Sequence, residues 1–260
     1  MQKTFYLITL IIVMLGVIGC QPETGTSENT NLEIQETELS DPPIYSNRIK
    51  NATLLIRVES IQPEGVFVGY DMGTLIQHQG ETYLVTHNHY GDMLQDMNIM
   101  QFRDAQNHQL QSMYAAIFKS LIIYKDPGTL VLRAPDGLTD TLTPVSVDHL
   151  PQLQPGDIVQ VAYRGGANRD QAEILNAVIE NVNVREGAPV YGLRCLDGQL
   201  LSPGDSGGGI WYGESFVGNN WSIVLTYVIE ATSAATDSMD PTTMTQTDLS
   251  YAAIFPQIFP

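Results

Sequence analysis

Pro203-Gly204-Asp205-Ser206-Gly207-Gly208 sets one serine among three glycines and a proline. Few other residues could follow so tight a turn, because several of its positions call for positive φ or close backbone approach. Such a turn exposes the Ser206 hydroxyl and aims the Gly204 and Ser206 backbone N–H groups at one point. Donors fixed there stabilise the oxyanion that forms when a carbonyl is attacked. The same six residues also suit a plain hairpin loop.

A serine hydroxyl is a weak nucleophile and needs a neighbouring base. Leu84-Val-Thr-His-Asn-His89 supplies a candidate, His89, at the end of a buried-looking strand. His87 and His89 fall on the same face of a strand, so a metal-binding pair is the rival reading. His78, His108 and His149 show no ligand spacing, and no metal or other cofactor is expected. The base needs a carboxylate to hold its tautomer. Asp126, in Tyr124-Lys-Asp-Pro-Gly-Thr-Leu-Val-Leu132, stands just before an apolar run, although Asp-Pro-Gly taken alone reads as a turn.

Outward from these sites the chain is a succession of short β-rich runs. Thr53–Val58, Gly73–Gln77, Thr82–Thr86, Leu121–Tyr124, Asp157–Tyr163, Ala177–Val184 and Ser222–Ile229 are the clearest. Gln79-Gly80, Asp126-Pro-Gly128, Pro135-Asp-Gly137, Pro155-Gly-Asp157 and Arg164-Gly-Gly166 punctuate them. Asp92–Met100 admits a helical turn or two. The pattern predicts an all-β antiparallel sandwich or barrel. Pro135–Pro144 reads as a seam between halves of about 46–134 and about 145–260.

Twelve Lys+Arg against 29 Asp+Glu give a formal charge of −17 in 260 residues. That balance excludes a non-specific nucleic-acid binder, which must neutralise phosphates with cations. At the front, Lys3 precedes the apolar run Phe5–Val17, which is shorter than the ~20 residues of a spanning helix. Val17-Ile18-Gly19-Cys20 matches a bacterial lipobox, so residues 1–19 read as a lipoprotein signal peptide and Cys20 as the lipidated residue. Residues 21–45 carry six acids and no base, the composition of a disordered tether. Acyl chains on Cys20 would hold the protein on a bacterial membrane, outside the cytoplasm. Cys195 is then the one remaining thiol, expected as a small buried side chain.

The order His89, Asp126, Ser206 resembles the chymotrypsin/trypsin-like serine proteases, especially their bacterial branch. Leu-Val-Thr-His-Asn-His89 is similar to the family's "LTAAH" strand end, Asp126-Pro-Gly-Thr-Leu to "DIALL", and Gly204–Gly208 to "GDSGG". Met72-Gly-Thr-Leu-Ile76 takes the place of "GSGFVI", and Leu153–Gly165 resembles the strand opening the second barrel. The resemblance implies two antiparallel six-stranded β-barrels with the active site between them. It implies a serine endopeptidase acting through an acyl-enzyme on a peptide or protein substrate. Ser206 would attack, His89 would carry the proton, Asp126 would orient His89, and the Gly204 and Ser206 N–H groups would form the oxyanion hole. Counting back from Ser206 places Leu200 near the base of the specificity pocket.

The match departs from the family in two places. His87 has no family counterpart and is expected at the surface. Arg48-Ile49 resembles an activation cleavage site, yet Ile49 lies too few residues before Thr53 to reach Asp205, so Asp205 is expected to pair with another group or be solvated. Ala231–Asp248 is polar, rich in Ser and Thr, and reads as a loop or a partly disordered segment. Because folds outlive their chemistry, an inactive envelope-binding module on the same scaffold is the alternative function.

Overall fold

The computed structural model describes residues 46–62, 65–88, 94–148, 150–185, 187–196, 201–227 and 244–256. The leader, Cys20 and the acidic segment up to residue 45 lie outside the described residues, and so do His89 and Leu200. Helix α1 (Ser46–Ala52) buries Ile49 and Ala52, three residues apart on one face, and Thr53 Oγ1 closes its end by donating to the Ile49 carbonyl at 2.7 Å.

A first sheet follows: β1 (Thr53–Gln62), β2 (Gly65–His78), β3 (Glu81–Thr86), β4 (Ile99–Arg103), β5 (Gln109–Tyr114), β6 (Ile122–Lys125) and β7 (Leu130–Arg133). Their order is β5-β4-β1-β2-β3-β7-β6, and β8 (Val145–Ser146) adds in parallel to β2. Helix α2 (Ala115–Ser120) joins β5 to β6. The second sheet contains β9 (Ile158–Gly165), β10 (Gln171–Arg185), β11 (Ala188–Cys195), β12 (Gly209–Tyr212), β13 (Ser215–Tyr227) and β14 (Met244–Ile254), closed as a six-stranded barrel.

The architecture is all-β, as expected, with one correction. Among the described residues the second sheet closes and the first stays open, with eight strands. The strands that would have to meet, β5 and β6, are separated by α2, whose Phe118 stacks on Phe102 with ring centroids 6.2 Å apart. Apolar side chains of α2 thus cover what a strand pairing would have covered.

Alternation along the strands builds the cores. Leu54 and Ile56 of β1, Leu84 of β3 and Leu130 and Leu132 of β7 face the interior of the first sheet. Their neighbours Leu55, Val85 and Val131 face the other way, into a cluster shared with Ala162, Trp211 and Phe216 of the second sheet. This shared cluster holds the sheets together. Cys195 is buried in the barrel core, as the sequence led one to expect.

Two local expectations are overturned. Of Asp92–Met100, where a helical turn or two was expected, Asp92 and Met93 lie outside the described residues, residues 94–98 are turn and coil, and β4 begins at Ile99; Met100 and Phe102 point inward with Gln101 between them, a period of two. Of the polar stretch Ala231–Asp248, residues 231–243 lie outside the described residues, and the rest opens β14, whose Thr245 and Gln246 ladder onto Thr226 and Leu225. Backbone pairing recruited a segment whose side chains carry no apolar signal.

Candidate active site

Three elements meet at the edge where the sheets face each other. The first is the serine turn. Ser206 accepts a hydrogen bond at its carbonyl from Met72 N of β2, at 2.8 Å. Gly207 has φ +80°, and a Cβ there would stand 2.1 Å from the Met72 carbonyl oxygen, 2.6 Å from Thr86 Oγ1 and 3.0 Å from His87 N. Only glycine allows this turn to press against the end of β3. The backbone N–H groups of Asp205, Gly207 and Gly208 donate to the carbonyls of Ser202, Asn220 and Asp205. None of these is a donor that the oxyanion reading requires. Pressing the turn onto β2 and β3 has a second effect. Ser206, expected to project into solvent, is only 6% exposed.

The second element is the aspartate turn between β6 and β7. Asp126 Oδ1 accepts from Gly128 N at 2.8 Å and Thr129 N at 2.7 Å, while Oδ2 accepts from Tyr124 Oη at 2.9 Å. A carboxylate has about four lone-pair sites, so described residues occupy three and leave one. Burial, then the hydrogen bond to Asp126 and its charge, push the Tyr124 hydroxyl up to about 12, so Tyr124 remains a donor.

The third element is the end of β3, just ahead of His89. Asn88 Nδ2 donates to the Asp126 carbonyl at 2.6 Å. His87 is not at the surface as expected; it is 3% exposed, with Nδ1 2.9 Å from the Gly128 carbonyl oxygen and its ring 6.3 Å from that of Trp221. A carbonyl only accepts, so Nδ1 carries the proton. Asn219 Nδ2 reaches the same carbonyl at 3.0 Å and Thr129 Oγ1 reaches Asn219 Oδ1 at 3.0 Å, tying the aspartate turn to β13. The strand register makes this possible, because Thr86 pairs with Leu130. Residues 86–88 therefore touch both the serine turn and the aspartate turn.

Asp205 is fully buried, with Oδ1 accepting from Arg164 N at 2.9 Å and Arg169 Nη2 at 2.6 Å, and Oδ2 from Ser202 N at 2.6 Å. The expected pairing is thus made by a side chain, while Ile49 is locked in the core at 1% exposure. Burial pushes the Asp205 carboxyl above its ordinary range, against the two N–H donors and Arg169, which act to lower it. Arg169 follows a Gly-Gly turn whose sequence marked a bend and nothing more. Among the described residues no three His, Cys, Asp or Glu side chains gather as a metal site.

The HtrA-type protease AlgW with a tripeptide superposes with a TM-score of 0.53 at 12% identity, over 80% of this chain and 57% of that one. The fold is that of HtrA-type serine proteases. A serine-to-alanine form of AlgW gives the same values, and an inactive mutant of Rv3671c from M. tuberculosis matches with a TM-score of 0.49 at 14% identity, over 83% of this chain and 89% of that one. No family model matches the sequence, and no curated protein matches it. The chain spans little more than half the length of AlgW.

Proposed function

We propose that the protein is a serine endopeptidase that hydrolyses peptide bonds through an acyl-enzyme. Ser206 is the nucleophile, His89 the base that takes and returns the proton, and Asp126 the carboxylate that orients His89. The Gly204 and Ser206 N–H groups stabilise the oxyanion, and Leu200 lies near the specificity pocket. One observation carries this reading: the serine turn and the aspartate turn converge on residues 86–88, immediately before His89. The site left on the Asp126 carboxylate leaves room for an imidazole N–H. Lipidation at Cys20, after removal of a signal peptide, places the enzyme outside the cytoplasm on a bacterial membrane. Neither role requires a cofactor.

A fluorophosphonate probe tests the chemistry. The full chain is expected to label and the Ser206→Ala variant to lose labelling; equal labelling of both removes Ser206 from its role. The rate of labelling should rise as His89 loses its proton, at about pH 6–7 for an ordinary imidazole. The hold of Tyr124 on Asp126 favours a second reading, an inactive binding module. Casein turnover that matches the Ser206→Ala background would support that reading.

A further inference from the structure

Arg57 of β1, Arg103 of β4 and Arg164 of β9 line a single cavity of about 250 Å³ between the two sheets, together with Tyr70, Asn107 and Asp170. A chain of charge −17 with only twelve Lys and Arg thus places three of them on one small space. Their donors are under-used. Arg164 is 9% exposed, its guanidinium lies 4.0 Å above the Tyr70 ring, and its charge faces those of Asp205 and Asp170, with Arg169 a like charge nearby. Arg103 gives Nη1 to Asn107 and Nη2 to Gln101 at 3.0–3.2 Å, while its Nε is buried without an acceptor. Arg57 bonds Glu59 and, at 3.1 Å, Gln101. Glu59, Asp170 and Asp205 are the acids whose charges bear on these guanidinia, and Asp205 already accepts from Arg164 N, Arg169 and Ser202 N, so acceptors stay fewer than the five N–H donors on each of three guanidinia. Buried donors left without acceptors are costly, and a guanidinium matches a carboxylate bidentately.

The cavity adjoins the serine turn. Arg164 Nη1 lies 2.9 Å from where a Cβ on Gly204 would stand, and Arg164 N donates to Asp205. Tyr70 is two residues before Met72, which bonds Ser206. Resting on the protease reading, we propose that this cavity is a carboxylate-binding subsite for the substrate chain, close to the scissile bond. Its guest is an Asp or Glu side chain or the C-terminal carboxylate of a peptide.

The test uses the full chain and matched peptides that differ by Glu against Gln, or by a free acid against an amide at the C-terminus. Cleavage of a peptide library first locates the responsive position. The acidic member of a pair is expected to be favoured about tenfold or more in kcat/KM. The ratio should fall toward one in Arg57→Gln and be partly kept in Arg57→Lys; Arg103→Gln provides a second check. Whichever pair responds names the source of the carboxylate. Binding of the same peptides to the Ser206→Ala chain, read by fluorescence anisotropy, separates this proposal from the protease reading. Cleavage with no acidic preference overturns the subsite and leaves the protease standing. Arg57-dependent acidic preference in binding, without any turnover, keeps the subsite and removes the protease. Equal binding of both members of each pair, with only free acetate competing at the arginines, overturns a role in substrate recognition.

Discussion

At the scale of single residues, the Asp205–Arg169 pair governs the turn that carries Ser206. Asp205 is fully buried and Arg169 is partly exposed, so removing the arginine strands a buried carboxylate. The expected cost of Arg169→Gln is about 2–3 kcal/mol, below the range for a wholly buried pair. Its pH dependence has a definite sign. The folded pKa of Asp205 is raised, so the contribution of this group to stability is present below the unfolded carboxylate value of ~3.9 and fades as pH rises through the folded one. Losing Arg169 removes a lowering influence, so the fading deepens. The Tm gap between wild type and Arg169→Gln should therefore be small near pH 4 and widen toward pH 7; a gap of constant size would show that the pair does not titrate this way. Gly207→Ala combines positive φ with a Cβ driven into the Met72 carbonyl. It is expected to lose at least about 2 kcal/mol in urea unfolding. The GDSGG spacing already suggested a strained turn, but not the surface that the turn presses against.

At the scale of elements, legibility followed side-chain chemistry. β1, β3, β6, β9 and β10 were visible because their apolar residues recur with the strand period or run without interruption. β14 was not visible, because Thr245 and Gln246 give the sequence no apolar pattern, while their backbone ladders onto Thr226 and Leu225. β4 was not read as a strand because five residues are too few to separate a period of two from one of 3.6. In the barrel, Phe216 meets Trp211 and Phe255 edge-to-face at 5.7 and 5.5 Å, linking β12, β13 and the end of β14. Phe216→Ala should cost about 3–5 kcal/mol in denaturant unfolding, and a loss under 1 kcal/mol would show that the cluster does not hold these strands.

At the scale of the whole molecule, the shared apolar cluster fixes one sheet against the other, and the site lies where their edges meet. The proposed anchor acts at this scale too. Two or more acyl chains bury enough methylenes for stable attachment, whereas a single unmodified thiol contributes almost nothing. Cys20→Ser is expected to move the protein from the detergent phase to the aqueous phase on partition, without loss of fluorophosphonate labelling. Retention in the detergent phase would place the attachment elsewhere.

Residue order determined the all-β class, the glycine-bound serine turn and the spacing of His89, Asp126 and Ser206, because local backbone demands and strand periodicity act over a few neighbours. Tertiary structure decided the rest. The opening of the first sheet depends on α2 lying between β5 and β6, Asp205 finds Arg169 across 36 positions, and three arginines from distant strands share one cavity. These outcomes are contacts between segments remote in sequence. A chain read residue by residue carries no local trace of which of its charges will meet.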